Sequence, residues 1–125
     1  MNTREKIVTP QVLAERLKQS AKSGVRVVLV RGRFDLLSRE LVEELRAARK
    51  GDVVLVAAVE PSPVPNCLLP AEARAQLVAG LAAVDFVVIA PPEEVQAALS
   101  PAEIIEVKSD LAPRLLARFR GPARA

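Results

Sequence analysis

The chain has 125 residues, half of them apolar, which is enough for one domain with an ordinary core and leaves no room for a second. Its 18 Lys and Arg against 15 Asp and Glu give a net charge of +3. The basic residues are interleaved with acids, which disfavours nucleic-acid binding. With only three Phe and no Tyr or Trp, the chain is also poorly suited to bind a ligand by ring stacking. A single cysteine, Cys67, excludes an internal disulfide, and with no signal peptide or apolar run of about 18 residues we expect a cytoplasmic protein without a membrane segment.

The first predicted element is a helix that begins at Thr9 and Pro10. Thr9 can accept a hydrogen bond as the cap, and Pro10 occupies the first helical position, where its missing N–H costs nothing. The apolar face predicted for this helix consists of Val12, Leu13 and Leu17.

Three short apolar runs predict the strands. Val25 to Val30, Val53 to Val59 and Phe86 to Ile89 are almost wholly apolar and rich in β-branched residues, a pattern typical of strands that are covered on both faces.

Helical patterns separate these strands. Leu41, Val42, Leu45 and Ala48 lie at helical spacing between Ser38 and Lys50, and Gly51 closes that segment. After a proline-rich loop, Ala71 to Gly80 predicts a further helix with Leu77 and Leu81 on its buried side, and Glu93 to Leu99 predicts another.

The region after residue 99 supports two interpretations. The sequence from Ser100 to Glu103 has the capping-box pattern of a helix start, whereas Ile104 to Val107 is suited to a fourth strand. Asp110 to Phe119 predicts a last helix, and residues 120–125 are expected to form a frayed tail.

Alternating apolar strands and helices predict an α/β fold, in which right-handed crossovers build a Rossmann-like, three-layer α/β/α domain. We expect residues 1–125 to form this single domain around a mostly parallel sheet of four to five strands. Ligands of such sheets bind outside the carboxyl ends of the strands, so the segment that leaves the first strand is the expected site.

That segment reads RGRFDLLSREL from Arg31 to Leu41. It resembles the GxFDxxHxGH motif of the cytidylyltransferase-like nucleotidyltransferases, and in particular the nucleotidyltransferase domain of bacterial ADP-heptose synthase. The similarity extends over about residues 6–110 and includes PAEARAQLVAGLAAVDFVV from Pro70 to Val88, and Val107 with Lys108, where the family has VKG. The resemblance implies the same α/β fold and, in an intact member, a nucleotide triphosphate site that uses Mg²⁺.

The motif is degenerate at the residues that the family uses for catalysis. Its two histidines fall on Ser38 and Leu41, the glycine between them falls on Glu40, and the chain contains no histidine. Loss of one preorganised hydrogen-bond donor from an active site lowers the rate by about 10² to 10³. The loss of both motif histidines therefore predicts an inactive transferase that needs no cofactor. Glu60 replaces an expected asparagine, Asn66 replaces a basic residue, and the family's later Ser- and Thr-rich segment has no counterpart.

Several residues still favour an anion or nucleotide site. The matching family positions are Gly32, Phe34, Asp35, Arg74 and Lys108. Ser38, Arg33 and Arg39 lie where free N–H groups at a helix start favour anions, with Arg31 nearby. Each also has a structural interpretation: Gly32 as a backbone requirement, Phe34 as core, Asp35 as a turn former, Ser38 as a helix cap, and Arg74 and Lys108 as solvated charges. The arginines could instead pair with Glu40, Glu43 and Glu44.

The sequence therefore predicts a nucleotidyltransferase-like domain that has lost transfer chemistry and binds a nucleotide or phosphate. Two alternatives stay open: an active nucleotidyltransferase on a sugar or polyol phosphate in which arginines replace the histidines, and an assembly module. In each case we expect a homodimer, without nucleic-acid or membrane partners.

Overall fold

The structure, a computed structural model, describes residues 3–19, 26–34, 38–61 and 69–107. A 3₁₀ turn at Thr3–Lys6 is followed by four helices and four strands in regular alternation. In chain order these are α1 (Pro10–Gln19), β1 (Arg26–Gly32), α2 (Arg39–Ala48), β2 (Val53–Val59), α3 (Ala71–Ala79), β3 (Phe86–Ile89), α4 (Pro92–Leu99) and β4 (Glu103–Glu106).

The four strands form one sheet in the order β3-β2-β1-β4, and every pair in it is parallel. At the centre, Leu29 of β1 is in register with Val56 of β2 and Ile104 of β4. On the outer side of β3, Ile7 forms a parallel bridge with Val87, and the N–H of Val8 donates to the Val87 carbonyl over 3.0 Å. The predicted Rossmann-like, three-layer α/β fold is confirmed.

Each face of the sheet carries its own apolar core. On one face, Leu41 and Leu45 of α2 and Val78 of α3 pack in a cluster with Val30 and Leu55 of the sheet. The opposite face is covered by α1 and α4. There, Leu13 and Val95 pack in a second cluster with Leu29, Val56 and Val88. Strands buried on both sides explain the uninterrupted apolar runs in the sequence.

Local signals set the ends of the helices as predicted. The Thr9 hydroxyl accepts from the N–H of Val12 at the start of α1, over 3.2 Å. Ser38 caps α2 in the same way through the N–H of Leu41. Gly51, between α2 and β2, has φ +76°, a conformation that other residues adopt only with strain.

The predicted apolar faces of α1 and α3 were each wrong at one residue, since Val12 is 44% exposed and Leu77 is 42% exposed. In α1, Leu13 and Leu17 are confirmed as residues that pack in the core. In α3, Val78 enters the core in place of Leu77, because successive side chains on a helix point about 100° apart. Leu81, which follows α3, does pack against the core.

Of the two interpretations left open for the region after α4, the strand is confirmed as β4 and the helix start at Ser100 is excluded. Ser100 ends α4 in the left-handed conformation at φ 46°, and Pro101 disfavours helical geometry in the residue before it. The N–H of Ala102 then donates to the Val27 carbonyl over 2.8 Å, which extends the pairing with β1.

Some predictions lie outside the described residues. They concern Asp35, Cys67, Lys108, the helix Asp110 to Phe119 and the tail 120–125. No helix in the described part of the chain has the length and apolar character needed to cross a membrane.

Candidate functional site

The strand order reverses between β1 and β4. The chain moves outward on one side from β1 to β2 and β3, and then returns through α4 to place β4 on the other side of β1. Parallel α/β sheets bind ligands at such a reversal, outside the carboxyl ends of the strands. A cleft of about 180 Å³, here called the carboxyl-edge cleft, lies at this point and is lined by Arg31, Gly32, Arg33, Glu60, Glu106 and Val107.

Arg31 lies beside α4, away from the start of α2. Its Nη1 donates to Oε1 of Gln96 over 2.9 Å, and its Nη2 is 3.7 Å from Oε1 of Glu106. The alternation of side chains along β1 places Arg31 on the same face as Leu29, which packs in the core on the α1 and α4 side. The prediction that Arg31 joins a cluster around the start of α2 was therefore wrong.

Gly32 is required by the close approach of the chain after β4. A Cβ at Gly32 would lie 2.9 Å from the Cβ of Val107 and 3.0 Å from its Cγ2. The carbonyl of Gly32 accepts from the N–H of Glu60 over 3.2 Å, which ties the ends of β1 and β2 together. The structural interpretation of this glycine as a backbone requirement accounts for its position.

Phe34 directly follows the cleft and is strained. Its φ is 53°, a left-handed conformation that is an outlier for a bulky residue, and its ring is fully buried in the core. Strained backbone persists only where the surroundings enforce it, and it is concentrated at functional sites. The interpretation of Phe34 as a core residue is confirmed, and its strain is a feature that the sequence did not reveal.

Arg74 holds the backbone next to Phe34. Its Nη1 donates to the Arg33 carbonyl over 2.8 Å and its Nε donates to the Leu69 carbonyl over 3.0 Å. The residue is fully buried, so its interpretation as a solvated charge was wrong. The helical spacing did contain the signal, since Arg74 falls three residues after buried Ala71 and four before buried Val78.

Ser38 and Leu41, the two positions that the resemblance would align with motif histidines, serve as the cap of α2 and as part of the core. The Ser38 hydroxyl accepts a hydrogen bond from the N–H of Leu41 over 3.1 Å, which confirms it as the helix cap. Leu41 is fully buried and belongs to the core beneath α2 and α3. One N–H at the helix start is thus satisfied within the chain, and Leu41 presents no polar group.

Arg39 and Glu40 are exposed in the first turn of α2. The Nε of Arg39 lies 3.1 Å from Oε1 of Glu43, with the Arg39 side chain 86% exposed, as the surface-pairing interpretation predicts. Arg39 does not line the carboxyl-edge cleft, whereas Arg33 does.

The cleft combines opposite charges. Arg31 and Arg33 supply guanidinium groups that can form bidentate hydrogen bonds to a phosphate, while Glu60 and Glu106 oppose an anion. The sequence analysis assigned no role at this site to Glu106 and Val107, which line the cleft, or to Gln96, which holds Arg31. The position of Glu106 and Val107 depends on the register of β4 with β1, and that of Gln96 depends on the packing of α4, neither of which a local pattern specifies. Within the described residues, no group of three His, Cys, Asp or Glu is placed to hold a metal ion.

No family model matches the chain, and no curated protein matches it. Function is therefore inferred from the residues and their geometry.

Proposed function

We propose that the chain is a nucleotidyltransferase-like domain that binds a phosphate-bearing ligand in the carboxyl-edge cleft and does not transfer nucleotidyl groups. The observation that carries the proposal is the division of the motif segment. Gly32 and Arg33 line the cleft, while Ser38 and Leu41 serve as the helix cap and the core. One half of the motif lines a small polar cleft of about 180 Å³, and the half that carries catalysis in the family forms the helix cap and the core.

Anion binding rests on Arg31 and Arg33. Arg31 is oriented by Gln96, and its side chain is 28% exposed, so a guanidinium is presented at the cleft with its conformation already restricted. Glu106 competes for the same guanidinium. A phosphate must displace this exposed carboxylate, which predicts weak binding with a dissociation constant of about 0.1 to 1 mM that rises with salt.

Calorimetry or phosphorus NMR with inorganic phosphate and with nucleotides tests the binding. Arg33→Gln should weaken binding about tenfold, whereas Arg39→Gln, outside the cleft, should leave it nearly unchanged. Glu106→Gln should strengthen binding severalfold, since it removes the competing charge. Wild type that binds no phosphate-bearing ligand at low ionic strength would overturn the proposal.

A pyrophosphate-release assay tests the absence of transfer. With Mg²⁺, several nucleotide triphosphates, and sugar or polyol phosphates as acceptors, we expect no turnover. A rate above about 0.1 per second approaches that of ordinary enzymes and would support the active alternative, in which Arg33, Arg39 and Lys108 replace the imidazoles.

The remaining expectations belong to the same proposal. We also propose that the domain is cytoplasmic and forms a homodimer, for which an exposed large apolar side chain at Val12, Leu77 or Ile104 offers a contact. Light scattering at high micromolar concentration tests the oligomeric state, and a monomer there would contradict the assembly reading.

A further inference from the structure

A second space lies at the opposite edge of the sheet, between α1 and α4. It has a volume of about 450 Å³, within the range of about 300 to 1,000 Å³ typical of ligand pockets. Its floor is formed by Val27, Val54 and Phe86, near the amino ends of β1, β2 and β3. We call this space the amino-edge groove.

The walls of the groove are apolar as well. Ala14 and Leu17 of α1 line one side, and Ala98 and Leu99 of α4 line the other. Leu17 and Leu99 pack against the core and are only partly buried. Small alanines on both helices leave the space open, and the leucines and the floor present apolar surface to it.

The rim carries positive charge. Arg16 and Lys18 line the groove, and among the described residues no carboxylate lines it and none forms an ion pair with either cation. Ser100 also lines it and is held in the left-handed conformation, which costs a non-glycine residue about 1 to 2 kcal/mol. This conformation follows from its place as the residue that ends α4.

We propose that the amino-edge groove binds an apolar anion, an unbranched alkyl chain of medium length that ends in a carboxylate. The floor and walls take the alkyl chain, and Arg16 and Lys18 attract the carboxylate, with the Ser100 hydroxyl as a further donor. This site lies at the edge of the sheet opposite the carboxyl-edge cleft, and it does not depend on the function proposed for that cleft.

A series of fatty acids tests the apolar part. Calorimetry with octanoate, decanoate and dodecanoate, each below its micelle concentration, should show binding that tightens about fourfold per added methylene. Binding with no dependence on chain length, or no binding of decanoate at 1 mM, would overturn the proposal.

Two alanines of α4 provide a matched pair of variants. Ala98 lines the groove, and Ala97 beside it is exposed and does not. Ala98→Leu should fill the space and weaken decanoate binding at least tenfold, while Ala97→Leu should leave it unchanged. Equal loss in both variants, or in neither, contradicts the assigned position. Circular dichroism of both checks that they are folded.

A charge comparison tests the anion part. The Arg16→Gln, Lys18→Gln double variant should weaken decanoate binding about fivefold and leave binding of the neutral 1-decanol unchanged. Arg46→Gln removes an exposed cation from the last turn of α2 and is the control. An equal loss of binding for decanoate and 1-decanol would show that Arg16 and Lys18 do not attract the carboxylate, and would reject the proposed anionic ligand. Sizing of Ala98→Leu completes the set, because loss of a wild-type dimer in that variant would identify a second copy as the occupant and overturn the proposal.

Discussion

The two edges of the sheet differ in size, charge and rigidity. The carboxyl-edge cleft measures about 180 Å³ and is lined by two arginines and two glutamates, while the amino-edge groove measures about 450 Å³ and has an apolar floor. At the carboxyl edge, charged residues lie at or next to the strand ends, such as Arg31 in β1 and Glu60 directly after β2. At the amino edge, the strand residues Val27, Val54 and Phe86 are only partly buried.

The edges also differ in how firmly the chain is fixed. The carboxyl edge is held by the hydrogen bonds of the buried Arg74 side chain, by the close contact at Gly32 and by the packing of the strained Phe34. The amino-edge groove is bounded mainly by partly buried apolar side chains, which can change conformation at a lower cost in free energy. Substitutions at the carboxyl edge should therefore alter stability and phosphate binding while leaving decanoate binding at the other edge intact.

The largest effect is expected for Arg74→Ala. The free energy of unfolding should fall by about 3 to 5 kcal/mol, because two backbone carbonyls lose their buried donors and a cavity remains. Urea unfolding measures the loss, and Gln76→Ala, exposed on the same helix, should change stability by less than about 0.5 kcal/mol. Under conditions where Arg74→Ala is still folded, weaker phosphate binding with unchanged decanoate binding would separate the two edges. Similar losses of phosphate and decanoate binding would show that the two edges are coupled.

Leu41→His should lower the free energy of unfolding by about 2 to 4 kcal/mol. The imidazole would enter a fully buried apolar position, losing packing and hydration without a partner. Thermal or urea unfolding detects the loss, and Arg46→His on the exposed side of α2 is the control. No pyrophosphate release should appear in Leu41→His. A stable Leu41→His protein that turns over a triphosphate would mean that α2 can present this position to the cleft.

Gly32→Ala should destabilise the fold by about 1 to 3 kcal/mol, since the added methyl group overlaps the side chain of Val107. Val107→Ala removes the overlapping Cγ2, so the double variant should recover part of the loss. A double-mutant cycle by urea unfolding measures this coupling. Strictly additive losses would show that the two side chains do not meet at the carboxyl edge.

The smallest effect, and one of opposite sign, is expected at the amino edge. Ser100→Gly should raise the free energy of unfolding by about 0.5 to 1 kcal/mol, because glycine adopts φ 46° without strain. Decanoate should bind somewhat more weakly as the hydroxyl is lost. Ser38→Ala, which removes the cap of α2, should instead lower stability by about 1 kcal/mol. A stability loss in Ser100→Gly would contradict the strain assigned to this residue.

The fold could be predicted from the sequence because its signals are local. Apolar runs defined β2 and β3 at their observed bounds, and Ser38 and Thr9 identified helix starts through their own hydroxyls. The site could be predicted only in part. The rest depends on how segments far apart in the chain pack together. This packing determines which face of the sheet Arg31 occupies, which groups Arg74 contacts and which residue meets Gly32.

The exposure of Val12 and Leu77 could not be predicted either, for a physical reason. Val12 and Leu77 are as apolar as their buried neighbours Leu13 and Val78, and only the rotation of each helix against the sheet separates them. For β4, the pattern allowed a helix or a strand, and Ser100 decided between them through its left-handed backbone.

The bridge from Ile7 to Val87 bears on how the chain avoids aggregation. A free strand at the margin of a sheet is a template on which further chains can add, and the N-terminal segment occupies part of that template along β3. At the other margin, β4 begins and ends with a glutamate, so copies aligned there in parallel and in register would bring like charges together. One margin is thus protected by coverage and the other by electrostatic repulsion, and uncontrolled growth into fibrils is disfavoured from both sides.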